Sequence, residues 1–382
     1  MFGLVMSQWS LWTIFGLGLL VIMVANVNRD RPNWALASLL AAAFTTCLFT
    51  TYYLGICYGV HADDFCIVNG HVTSARFEEH WTETYTTVET HTDGKGHTTT
   101  RVVTHVVDHP DSWAVHTTVG HVAISGSYYW SVASRFHANR QIPWHHGNQS
   151  SWGDGRVFEA KWDGNPATII PWSDSISVIN WIKASRQSVY HSTSLQAGIQ
   201  VPVYPSLTSV GGRIKLPRVL GDVVIPADWK APMEWNMDVL ADQVGVSRQC
   251  NPILLLTRQG PQFTESIQAG WLGGKKNDAI IILGVTEWPT VEWVKVVSWS
   301  KDTMLEPQLR DQLEGTSLMD TTGLMQALHD GLTQHFDRTR MHDFEYLKGD
   351  IRIPAWIPLV CLGFVFLAGM ITYFANTDPW SY

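Results

Sequence analysis

The chain has 382 residues, 45% hydrophobic and only 16% charged, with 19 Trp, a composition that excludes a disordered tail. Its net charge of −8 and the lack of a basic stretch with interleaved aromatics exclude a phosphate-backbone footprint, so nucleic acid is not an expected partner. The five cysteines spell no disulfide framework, although a Cys57–Cys66 bridge stays open outside a reducing compartment.

Three apolar runs frame the chain, at residues 11–27, 34–60 and 355–375, and none holds a charged side chain. Each approaches or exceeds the roughly 20 residues that cross a bilayer core. Met1 to Ser10 carries no Lys or Arg, which argues against a cleaved signal. Trp and Tyr, among them Trp12, Tyr52, Tyr53, Trp356 and Tyr373, sit near the run ends, where amphipathic rings favour the membrane interface. The expected fold class is therefore a multi-pass membrane protein with three transmembrane helices and an aqueous α+β region. Residues 1–60 form a transmembrane hairpin in this reading, and 351–382 a last span with a short tail.

Arg29 and Arg31 stand between the first two runs. By the positive-inside rule that segment is cytoplasmic and the aqueous region extracytoplasmic, as at a bacterial inner membrane or its equivalent. Arg338, Arg340, Lys348 and Arg352, ahead of the third run, pull the other way, but the first segments usually dominate.

The aqueous region divides into a β-rich part at 61–205, a loop-rich seam at 206–235 punctuated by Gly211, Gly212, Pro217 and Pro226, and a more regular part at 236–350. Residues 81–91 and 97–109 are rich in Thr, Val, Tyr and Trp around Thr92-Asp93-Gly94-Lys95-Gly96, which predicts a β-hairpin. With His91 opposite His97, strand alternation puts Trp81, Glu83, Tyr85, Glu89, His91, His97, Arg101, His105 and His109 on one face. Imidazole and carboxylate are usual divalent-metal ligands, which makes His91 and His97 candidates; a solvated polar strand face competes with that reading. Residues 110–203 read as further strands, with turns at 110–113 and 163–166 and strands at 115–125 and 156–162.

From 236 on, helix and strand alternate. Residues 236–246 have helical apolar spacing, 252–257 form an apolar strand and 263–271 a helix. A buried strand at 279–285, a third at 291–299, and helices at 304–314 and 321–336 follow. This order predicts a sheet with helices packed on it. Gly273-Gly274-Lys275-Lys276-Asn277-Asp278 precedes the second strand, and Asp320-Thr321-Thr322-Gly323-Leu324 opens the last helix. With those elements the chain resembles the TPM domain over about 237–336. That family pairs a glycine- and lysine-rich loop and Lys-Asp-Asn-Gly with an apolar strand, and has a later acidic-x-x-Gly-Leu element. Here Lys276-Asn277-Asp278-Ala279 stands at the first motif, with Asn and Asp exchanged and the Gly replaced. The resemblance implies a TPM-like α/β sandwich following the β-rich subdomain. It implies membrane anchoring on the extracytoplasmic or lumenal side, and either phosphatase activity or an accessory role in assembling or repairing membrane complexes. The family's Gly-x-Gly loop after its third strand is replaced by Trp299-Ser300-Lys301-Asp302.

A hydrolase would need a nucleophile or a metal. Asp278, at a strand start, and Asp302, after the third strand, are the candidate catalytic residues, and Asp278 is also a candidate metal ligand; the two could sit at opposite ends of the sheet. No Walker loop, Cys-x-x-Cys or His-Glu-x-x-His is present, and Gly273-Gly274-Lys275-Lys276 reads as a turn into a buried strand. The expected function is a membrane-tethered accessory or scaffold protein presenting a TPM-like domain to a membrane complex. The alternatives are a metal-dependent, phosphatase-like hydrolase and a metal-binding His hairpin. Expected partners are the lipid bilayer and a membrane protein, with homo-oligomer formation open and a divalent metal the one cofactor under consideration.

Overall fold

The computed structural model describes residues 9–27, 34–59, 63–92, 94, 96, 98–145, 155–185, 199–351 and 354–374. They fall into two compact units, one of Met1–Asp64, Val178–Ser192 and Arg340–Tyr382, the other of Phe65–Ser177 and Thr193–Thr339.

The first unit packs three apolar helices, α1 (Trp9–Val27), α2 (Trp34–Gly59) and a third, C-terminal one at Trp356–Phe374. Small residues set the approach: a Cβ on Gly18 would strike the Phe44 ring, and one on Gly55 would strike Ile357. Tyr52 donates its hydroxyl to Ser10 Oγ at 3.1 Å. Among the described residues one helix is long and apolar enough to cross a membrane by length and composition, α2 over Ser38–Ile56; the apolar runs Ser10–Val24 and Trp356–Leu367 are shorter.

In the second unit, β1 (Asp63–Glu78) is the spine of a six-stranded sheet. Its antiparallel neighbours are β4 (Ser112–Thr117) and β7 (Arg156–Lys161); β5 (Gly120–Ala123) lies beyond β4 and β6 (Arg140–His145) beyond β7, while β8 (Pro171–Ile179) also pairs with β1. The strand expected over 115–125 is thus two strands of a tight hairpin turning at Thr118 and Val119. Residues 126–136, read as part of a strand-rich stretch, are a helix, α3 (Gly126–Phe136). Ser125 caps it by accepting from Tyr128 N, and Tyr128, Tyr129, Val132, Ala133 and Phe136 form its buried stripe. Aromatic residues favour strands on average, and here the 3–4 spacing overrides that preference.

The strands β2 (Trp81–Thr92) and β3 (Thr98–His109) form a two-stranded sheet of their own. Their register differs from the expected one by two: His91 faces Thr99 and Trp81 faces His109. A shift of two keeps every side chain on its face. Trp81 stacks on His109 at 3.9 Å and Tyr85 on His105 at 5.0 Å.

The stretch read as a seam contributes structure. A small hairpin pairs β9 (Thr208–Val210) with β10 (Arg213–Lys215), and β11 (Val219–Gly221) is an edge of the second sheet. That sheet runs β11, β12 (Asn251–Thr257), β13 (Asp278–Gly284), β14 (Trp293–Ser298), parallel, parallel, then antiparallel. The helices are α5 (Ala227–Arg248), which starts earlier than its apolar spacing announces, α6 (Phe263–Gly270), α7 (Leu305–Leu313) and α8 (Thr321–His335), with α4 being the short Trp181–Ala184 of the first unit. One face of the sheet packs with Met233, Met237, Leu240, Leu309, Leu328 and Leu332; the other packs with Phe263, Ile267, Ile67 and Leu216. Covered on both faces, β12 and β13 are apolar without alternation, and every residue in them is buried. Helix α5 reaches β1 so closely that a Cβ on Gly245 would lie 2.7 Å from Asn69.

Candidate functional site

The N-terminal ends of β12 and β13 hold a connected set of buried polar side chains, organised by Arg218. This residue follows Pro217 at the entrance to β11 and is wholly buried. Burial lowers its pKa, and Asp238 and then Glu234 oppose that shift; a guanidinium stays charged nonetheless. All five of its N–H donors are matched. Nε donates to Asp238 Oδ1 at 3.1 Å, Nη1 to Asn251 Oδ1 at 2.8 Å and Pro252 O at 2.9 Å, and Nη2 to Asn69 Oδ1 at 2.6 Å and Ser173 Oγ at 3.0 Å. Arg213 takes the other oxygen of Asp238 at 2.7 Å.

Asn251 carries the set across to Asp278, its strand neighbour in register. Its Nδ2 donates to Asp278 Oδ1 at 2.7 Å, while Asp278 Oδ2 accepts from Lys275 N at 2.6 Å and from the Tyr204 hydroxyl at 2.9 Å. The loop before β13 makes this geometry: Gly273 and Gly274 both take φ of +77°, a region open to glycine, and so aim the Lys275 amide at the carboxylate. Burial pushes the Asp278 pKa up to about 6, against the Asn251, Lys275 and Tyr204 hydrogen bonds. Burial, then Asp278 itself, raises the pKa of Tyr204, which stays a phenol donor. Burial likewise pushes the Cys250 thiol well up. Cys66 is buried as well.

Asp302 belongs to a different arrangement. It accepts from Met304 N at 2.8 Å and meets His335 Nδ1 at 2.8 Å, and these two contacts hold its pKa down. The antiparallel pairing of Ala279 with Ser298 puts Asp278 and Asp302 at the same end of the sheet, yet they share no hydrogen-bond partner. Ser300 donates its hydroxyl to the His335 carbonyl and not to the imidazole, so Ser300, His335 and Asp302 form no nucleophile–base relay.

On the hairpin, His109 Nε2 lies 3.4 Å from Glu83 and His105 Nε2 lies 2.8 Å from Thr87 Oγ1. His91 is on the same face, and His97 lies outside the described residues. Among the described residues no three His, Cys, Asp or Glu side chains gather in a way that could hold a metal ion.

Sequence reasoning picked out Asp278 and missed Arg218, Asn69, Tyr204 and Asn251. One signal was there: Asn251 and Asp278 head two continuous apolar strands, and polar heads on neighbouring parallel strands fall side by side.

A recess of about 680 Å³ opens beside α5 and α8, bordered also by Arg135, Pro166, Ala167 and Ile169. Asp278 and Asp302 do not border it.

Comparison with known proteins returns no match: no family model, no curated protein and no solved structure corresponds to this chain.

Proposed function

We propose that this protein is a membrane-tethered accessory module that offers a β-hairpin and a TPM-like α/β domain to a partner in a membrane complex. The observation that carries this reading is the hairpin. Among the described residues its two strands of 12 residues each pair only with one another, and Val88, Val102 and Val106 are 65%, 63% and 65% exposed. A lone two-stranded hairpin is marginal in water, and its unpaired edges are templates for a strand from another chain.

The tether is three bilayer spans, α1, α2 and α9 (Trp356–Phe374). In support, Leu39, Leu359 and Phe366 are each about two-thirds or more exposed on them, a dense apolar surface that water does not favour. Arg29 and Arg31 between the first two spans put the aqueous region on the extracytoplasmic side. The TPM-like assignment draws on the order of elements from α5 to α8 and on the glycine–lysine loop that feeds Asp278 into β13. An accessory role, and not catalysis, fits an Asp278 whose two oxygens already accept three protein hydrogen bonds.

The test is a photo-crosslinking residue placed at Val88 or Val102 in the full-length protein in its native membranes. The expected result is a discrete adduct with a membrane protein, absent when the same residue replaces exposed Gln312. Turnover of p-nitrophenyl phosphate by the purified full-length protein with added divalent metal, lost on Asp278→Asn, would replace this reading with the phosphatase-like one.

A further inference from the structure

The recess beside α5 and α8 is lined in an unusual way. Asn236, Val239, Leu240 and Gln243 make the i, i+3, i+4, i+7 stripe of α5 that borders it, a spacing normally reserved for apolar residues. Its two ends are carboxamides instead. Thr321 and Thr322, in the first turn of α8, face the same recess. Among the described residues none of these four side chains has a hydrogen-bond partner; Gln243 and Thr322 are exposed, and Asn236 and Thr321 are half-buried. Arg135 is fixed at the wall: it donates through Nε to Thr168 O at 3.2 Å and through Nη2 to Ala167 O at 3.4 Å, and lies over the Trp235 ring at 4.9 Å. Among the described residues no Asp or Glu borders the recess, and Pro166, Ile169, Val239 and Met325 supply apolar surface between the polar groups.

The geometry points to an oligosaccharide as the ligand of this recess. Each carboxamide and hydroxyl can both donate and accept, as a sugar hydroxyl does, and a ligand that alternates hydroxyls with C–H faces matches a lining that alternates amides with apolar side chains. A volume of about 680 Å³ lies within the range of small-molecule sites. The open form of the recess suits a chain running through it. Arg135, without an opposing acid, leaves room for an acidic sugar unit, so neutral and acidic chains share the polyol chemistry and the experiment separates them.

The full-length protein in lipid nanodiscs is titrated with cellohexaose, maltohexaose and hexagalacturonate by calorimetry. Binding of at least one is expected, weakened about tenfold by the double variant Asn236→Ala, Gln243→Ala, which removes two hydrogen bonds. Val239→Trp, which fills the recess without touching its polar groups, is expected to abolish binding. A preference for hexagalacturonate lost on Arg135→Gln assigns an acidic chain, and indifference to that change assigns a neutral one. Absence of binding by all three at millimolar concentration overturns the inference, as does binding that survives both the double variant and Val239→Trp.

Discussion

The polar centre around Arg218 and the β2–β3 hairpin both belong to the second unit, and both are built from residues that prefer water, yet they end in opposite environments. At the centre, Arg218, Asn69, Asn251 and Asp278 are buried, and Arg218 and Asp278, linked through Asn251, spend their hydrogen-bonding capacity on neighbouring side chains and on the main chain. Along the hairpin, most Thr and Val side chains are exposed on both strands. The contrast separates two uses of polarity. A saturated buried network specifies how strands and helices meet, while an exposed element that buries little apolar surface contributes little to folding.

Breaking the buried side of that comparison should have the largest effect. Asp238→Ala leaves the buried Arg218 and its neighbour Arg213 without their carboxylate, and removing one partner of a buried pair costs about 3–5 kcal/mol. The expected result is a large fall in the thermal midpoint of the full-length protein, measured by near-UV circular dichroism. An unchanged midpoint would mean that water reaches Arg218.

Asp278 provides the next effect, with a sign that can be worked out. Its pKa in the folded chain, about 6, lies above the ordinary 3.8. Its contribution to stability is therefore fully present below about pH 4 and lost as pH rises through about 6, a swing of about 3 kcal/mol for roughly two pKa units. Relative to the wild type, Asp278→Asn should flatten stability between about pH 4 and 6. Parallel curves for the two proteins would show that Asp278 does not titrate there.

Gly245→Ala is a smaller break of the same core. The added Cβ would meet Asn69 Cβ and O at 2.7 Å, and an overpacked contact of this kind costs about 1–3 kcal/mol. The expected readout is a lowered midpoint with hairpin amide exchange unchanged.

How much of this was legible in the sequence follows the same division. The elements from α5 to α8 announce themselves, because helices with an apolar stripe and strands covered on both faces leave unambiguous periodicities. The hairpin was visible from its turn chemistry, and its register was off by two because nothing on its exposed faces fixes the pairing. Helix α3 was hidden by aromatic residues that read as strand formers. Arg218 was hidden more deeply: an arginine between Pro217 and Val219 in a glycine- and proline-punctuated stretch reads as surface. Only the convergence of β1, β8, β12 and α5, distant in sequence, supplies the acceptors that let it be buried. The three apolar runs were equally plain as helices, whereas among the described residues only the second is long and apolar enough to cross a membrane.

The smallest expected effect is on the hairpin itself, and it tests the comparison from the exposed side. Shortening the hairpin by removing residues 84–106 and joining Glu83 to Val107 through an Asn-Gly turn keeps the Trp81–His109 stack at its base. What is lost are cross-strand pairs on exposed faces, each contributing only about 0.2–1 kcal/mol to the hairpin's own formation. None of those residues belongs to the packed clusters of either sheet. The thermal midpoint of the full-length protein should stay within a degree or two of the wild type, since surface changes away from packed features rarely exceed about 0.5 kcal/mol. A fall comparable with that of Asp238→Ala would mean that the hairpin is covered by its own chain and is part of the fold. If the midpoint holds, a strand pair that folding does not need has been identified, as the proposed docking role of the hairpin requires.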